Sequence, residues 1–153
     1  MARPQSLEPD WSPDGKKIVF LGNQDLGDLY VVNLGDMQVR QITRIATASG
    51  GNYYPHWSAD GSRVFFFNSL AGAFYTVNPD GSKLHKLADV PSTTSGGLAP
   101  GSANWSPDGR MVVYCNDSGG ISVMQLVRGA EPQTISLTGG LSCDGVDFHS
   151  SLR

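Results

Sequence analysis

Charge is scarce in this sequence: 16% of its 153 residues are Asp, Glu, Lys or Arg, and the net charge is −3. The Lys and Arg side chains are scattered, with no basic stripe carrying interleaved aromatics, which argues against nucleic acid as a partner. No segment approaches the run of about eighteen apolar residues that a membrane span needs. Met1 to Asp10 holds no apolar stretch of a secretory signal; the chain reads as cytoplasmic or as a mature or excised piece. Cysteine occurs twice, which sets no disulfide framework and matches no zinc spacing. Cys115, inside the apolar run Met111 to Cys115, reads as a small buried hydrophobe and not as half of a bridge. Catalytic motifs are lacking too. There is no Gly-x-Ser-x-Gly elbow and no phosphate-binding glycine loop, and His56, His85 and His149 lack metal-ligand spacing. No metal or cofactor is expected.

What the chain has is glycine (19), proline (9) and an apolar fraction of 39% rich in Val, Ile, Phe and Tyr. Many tight turns between β-formers indicate an all-β domain. A repeat organises it. Pro9-Asp10-Trp11-Ser12-Pro13-Asp14-Gly15 returns as Pro55-His56-Trp57-Ser58-Ala59-Asp60-Gly61 and as Ala103-Asn104-Trp105-Ser106-Pro107-Asp108-Gly109. The tryptophans stand 46 and 48 residues apart, a spacing typical of propeller blades. Ser-Pro-Asp-Gly suits a reverse turn, with proline pre-setting φ and glycine taking the left-handed position. After each turn comes a run apolar on both faces (Ile18 to Leu21, Val64 to Phe67, Met111 to Tyr114), as expected of a strand covered on both sides. A second run, a second turn and a short closing strand complete each unit. Three four-stranded antiparallel blades are predicted in a single domain, residues 1–153: blade 1 at about 8–44, blade 2 at about 53–89, blade 3 at about 102–138. In the tail, 139–153, Val146-Asp147-Phe148 repeats the start of a fourth.

Trp-Ser-Pro-Asp-Gly, followed by an apolar strand, a Leu-Tyr-Val-Val-Asn strand and a closing Gln-Ile-Thr, resembles the WD40-like PD40 repeat of TolB-type β-propellers. The resemblance covers roughly residues 9 to 138. It implies an extracytoplasmic, non-enzymatic protein-binding module, without the α/β domain that precedes the propeller in that family. The same repeat occurs in propeller domains of serine peptidases and in oligogalacturonate lyases, so the alternative is the propeller part of an enzyme. The lyase reading needs a metal-binding histidine set, for which His56 alone is suitably placed.

Three blades do not close a ring, since closed propellers carry about four to eight. The chain is therefore expected either to be a fragment of a longer propeller or to pair with a second copy into a six-bladed homodimer. Candidate binding residues follow from the repeat. Asp10, His56, Asn104 and Asp147 precede the tryptophan position on each innermost strand; alternation turns them away from the tryptophan side, where they could line a central channel and hold a polar ligand. Tyr53 and Tyr54 end the connection Arg44 to Asn52, one of three long, dissimilar connections on one rim. As an aromatic pair beside His56 they are the candidate contact for a protein partner.

Overall fold

The computed structural model describes residues 8–22, 27–46, 50–90, 103–116, 120–126 and 133–137. Twelve strands occur among them. Blade 1 contains β1 (Asp10–Trp11), β2 (Lys17–Leu21), β3 (Leu29–Asn33) and β4 (Val39–Gln41). Blade 2 contains β5 (Asn52–Trp57), β6 (Val64–Asn68), β7 (Ala73–Val77) and β8 (His85–Asp89). Blade 3 contains β9 (Ala103–Trp105), β10 (Met111–Cys115), β11 (Ile121–Gln125) and β12 (Gln133–Leu137). Each blade is a separate four-stranded antiparallel meander in chain order, and the fold is all-β as the repeat implies. Val146 to Phe148 lie outside the described residues.

The first turn of each blade is the same object built three times. The amide of Gly15, Gly61 or Gly109 donates to the carbonyl of Ser12, Ser58 or Ser106 at 2.8 Å, and all three glycines sit at φ 67–68°. The serine hydroxyl donates to the turn aspartate at 2.6–2.7 Å. It also accepts the amide that opens the next strand (Lys17, Arg63 or Met111) at 2.8–3.0 Å. The serine and aspartate thus clamp the strand entry, while for the turn itself position 13, 59 or 107 needs only a compatible φ; the Ala59 amide, a group proline lacks, also donates to the Pro107 carbonyl of blade 3 at 3.3 Å. This explains why Ala59 serves where the other copies have proline.

Two apolar clusters lie between the blades. Val19, Leu21, Leu29, Val31 and Ile42 of blade 1 pack with Trp57, Val64, Phe66 and Val77 of blade 2. The opposite face of blade 2, with Phe65, Phe67 and Phe74, packs with Trp105, Val112, Tyr114 and Met124 of blade 3. β6 is buried along its whole length because it supplies both clusters in alternation, the two-sided covering expected of its unbroken apolar run. Trp57 and Trp105 are 9% and 5% exposed, but Trp11, at the equivalent place on blade 1, is 59% exposed. Trp57 and Trp105 therefore wedge between blades, each covered by the blade before it.

A polar seam joins blades 1 and 2 beside the first cluster. Buried Asp28 accepts from Thr43 Oγ1 (2.8 Å), the amides of Ile45 and Ala46 (3.1 Å each), Asn52 Nδ2 (3.2 Å) and Gln41 Nε2 (3.2 Å). Asn68 Nδ2 continues the network to Asn52 Oδ1 at 2.9 Å. One expectation is corrected here. Cys115 is buried as foreseen, but it is disulfide-bonded and not a free thiol. Its apolar flanks report burial and carry no information on which thiols the fold brings together. The chain's other cysteine, Cys143, lies outside the described residues.

Candidate functional site at the inner strands

The first strands of successive blades lie side by side, so the residues before each tryptophan form a row across β1, β5 and β9. Their side chains are engaged with one another and with neighbouring backbone. Asp10 Oδ2 accepts the Trp57 amide at 2.8 Å and faces His56 Nδ1 at 3.5 Å; both side chains are about one-third exposed. The Trp57 indole donates to the Asp10 carbonyl at 3.2 Å. Asp10 therefore ties the inner strands of blades 1 and 2 together while keeping one edge open to solvent. Asn104 folds back, its Oδ1 accepting the amide of Trp105 at 2.7 Å. Asp147, the fourth member of the predicted row, lies outside the described residues.

Tyr53 and Tyr54 are placed by an irregularity that sequence alone did not reveal. The β5–β6 pairing steps from Tyr53↔Phe67 to His56↔Phe65, so β5 carries one extra residue, and Tyr54 sits at φ 55°. Such a bulge bends a strand and re-aims its side chains, and a left-handed tyrosine costs on the order of 1 kcal/mol that the surroundings must offset. The two rings lie 6.1 Å apart at 42°. They are half-buried and pack against the second cluster, with only part of each ring left for a partner.

Glu8 was not singled out from the sequence, since nothing in the repeat marks it. Its Oε2 accepts the Tyr54 amide at 2.6 Å, and it too has a left-handed backbone, φ 43°. Burial pushes its carboxyl above the ordinary value, opposed by the Tyr54 amide and by nearby His56. The Tyr54 phenol is pushed up to about 12, by burial first and then by Glu8 and Tyr53. The inner rim between blades 1 and 2 thus gathers Glu8, Asp10, Tyr53, Tyr54 and His56. Among the described residues no three His, Cys, Asp or Glu side chains come together as a metal set, and no helix is long and apolar enough to cross a membrane. The connections around 47–49, 91–102 and 138–153, which include most of the long rim loops, lie outside the described residues.

Residues 3–142 match the family profile described as the TolB beta propeller domain, PD40. An uncharacterized protein of Agrobacterium fabrum is 34% identical over 82 residues, which is 52% of this chain and 27% of that protein. The Tol-Pal system protein TolB of Alcanivorax borkumensis is 35% identical over 60 residues, 38% of this chain and 13% of that protein. The chain thus spans about a quarter or less of these relatives. Among solved structures, TolB from Acinetobacter baumannii superposes with a TM-score of 0.62 at 17% identity, covering 88% of this chain and 33% of that one. An oligogalacturonate lyase in complex with manganese superposes with 0.63 at 20% identity, covering 82% and 34%. A puromycin hydrolase superposes with 0.60 at 16%, covering 88% and 22%. At such identities these structures share the fold, and the fold alone.

Proposed function

The chain belongs to the PD40 family of TolB β-propeller domains, and on that premise we propose that it is a protein-interaction scaffold and not an enzyme, acting within a six-bladed ring that a second copy completes. One observation carries this reading: the polar groups on and just before the inner strands are engaged with backbone, those of Glu8 and Asp10 across the seam between blades 1 and 2. Asp10 accepts the Trp57 amide, Glu8 accepts the Tyr54 amide, and Asn104 accepts the Trp105 amide. A general base or metal ligand needs a lone pair aimed at substrate. A docking surface needs a rigid rim with partly exposed polar and aromatic edges, and the bulged β5 supplies one.

In this reading the open edges of Asp10 and His56, with Asn104 and Asp147, face the channel of the closed ring. The outer parts of Tyr53 and Tyr54 form the contact for a protein partner at its mouth. TolB of the Tol-Pal system is the named relative whose kind of role fits best. The competing reading is an enzyme propeller, to which the fold likeness to the manganese-bound lyase lends the most specific form.

Two assays separate them. Metal analysis and an oligogalacturonate-cleavage assay with added manganese are expected to give no stoichiometric transition metal and no unsaturated product; both together would establish the lyase reading instead. A binding partner identified by crosslinking and then purified is expected to bind the wild-type protein and to lose affinity about tenfold or more to a Tyr54→Ala variant of unchanged circular dichroism.

A further inference from the structure

The second strands of the three blades turn equivalent residues to the same side. Ile18, Val64 and Val112 pair with Trp11, Trp57 and Trp105, so Leu21, Phe67 and Cys115, each three residues on, correspond. Leu21 packs toward blade 2 and Phe67 toward blade 3. Cys115, with Val113 two residues before it on the same face, is turned to the side of blade 3 away from blade 2. No described strand lies on that side, yet Val113 and Cys115 are 9% and 3% exposed. Ile135 and Leu137, on the same face of β12, are 64% and 56% exposed. The cover therefore lies over β10 and leaves the outer strand open.

Between blades 1 and 2 the equivalent place is closed by the polar seam. Asn52, five residues before Trp57, is fully buried; its amide donates to the Gly27 carbonyl at 3.1 Å and its side chain reaches Asp28 and Thr43. Asp28 stands beside the end of β2, its carbonyl accepting the Gly22 amide at 2.8 Å. In blade 3 the place of Asp28 is taken by Gly120, whose carbonyl accepts the Asn116 amide in the same way at 2.8 Å. Gly120 brings no carboxylate to hold an asparagine there. The sequence supplies something else: with Phe148 at the tryptophan place, the residue five positions before it, the counterpart of Asn52, is Cys143.

Cys115 is disulfide-bonded, and the chain has one other cysteine. We propose that Cys115 is joined to Cys143, and that this bridge is an oxidation-dependent staple, the covalent counterpart of the Asp28 and Asn52 contact between blades 1 and 2. Both the cysteine count and the repeat spacing single out this partner. The two thiols become one S–S bond by exchange with an oxidised dithiol (oxidised glutathione or a protein disulfide), which takes up the two electrons and two protons and leaves as two thiols. Such bonds form and persist in oxidising compartments. The chain beyond blade 3 is held against β10 there and is released by reductant. The staple lies within one chain and does not depend on what completes the ring.

Trypsin cuts the chain into peptides 111–128 and 129–153, which hold one cysteine each. Mass spectrometry of a digest made without reductant is expected to find the two as a single species that separates on reduction. The cysteines stand 28 residues apart, and dithiothreitol is expected to lower the wild-type Tm by about 10 °C by opening that loop. Cys143→Ser is expected to match reduced wild type in Tm and to be unaffected by dithiothreitol. The digest needs no variant and decides the pairing even where Cys143→Ser folds poorly. Two free thiols after refolding in a glutathione redox buffer would overturn the proposal. So would Cys115 bonded to a second chain, seen as a covalent dimer on a non-reducing gel, or a Cys143→Ser variant that keeps the Tm of oxidised wild type.

Discussion

Asp14, Asp60 and Asp108 lie in the most conspicuous motif of the sequence, and their work is structural. Each is held below the ordinary carboxylate value first by its serine hydroxyl and then by a backbone amide, with Asp60 lowered to about 2. A lowered folded value means that the contribution to stability is complete above the ordinary value of 3.8 and is lost as the pH falls through the folded one. Ser58→Ala, which removes the hydroxyl that bonds both Asp60 and the Arg63 amide, is expected to cost about 1–2 kcal/mol in urea unfolding at pH 7. It should also flatten the loss of stability between about pH 4 and 2. Glu8 has the opposite sign. Its raised folded value gives a contribution complete below the ordinary 4.5 and lost as the pH rises through the folded value. Glu8→Gln is therefore expected to gain stability relative to wild type as the pH rises from about 4 to 7, read as a widening difference in Tm.

At the scale of elements, the strands and turns were legible because each depends on local chemistry repeated three times: a glycine for the left-handed corner, a serine and aspartate for the clamp, and two-sided apolar runs for covered strands. What was not legible depends on contacts between one copy and the next. Tyr54 and its equivalent in blade 1, Glu8, are both left-handed without being glycine, so the repeat gave no warning of the step in the β5–β6 pairing or that Glu8 would meet the Tyr54 amide. Asp28 likewise looks like an ordinary loop residue. Its role comes from Thr43, Asn52 and two amides that are distant in sequence and converge only when blades 1 and 2 pack. Asp28→Ala would leave several of these buried donors without an acceptor. It is expected to destabilise the protein by about 3 kcal/mol or more, as judged by chemical unfolding. Gly109 sets a second constraint between blades: a Cβ there would stand 2.6 Å from the Phe65 ring, in a backbone that already needs a left-handed φ. Gly109→Ala is therefore expected to lower Tm, and by more than Gly15→Ala, whose Cβ would meet nothing within 4 Å.

For the whole molecule, the blade is a unit that buries its faces only against neighbours, so an arc exposes at its ends what it buries within. The tryptophans record this directly: two are covered by a preceding blade and the third has none. The sequence carried the blade count and the need for more blades. The central claim is a closed six-bladed ring made of two chains, on which the channel row and the binding rim both depend. Small-angle X-ray scattering of the purified protein tests it most directly. The expected result is the profile of a compact disc with forward scattering for two chains of 16.3 kDa; an open arc with the forward scattering of one chain would contradict it.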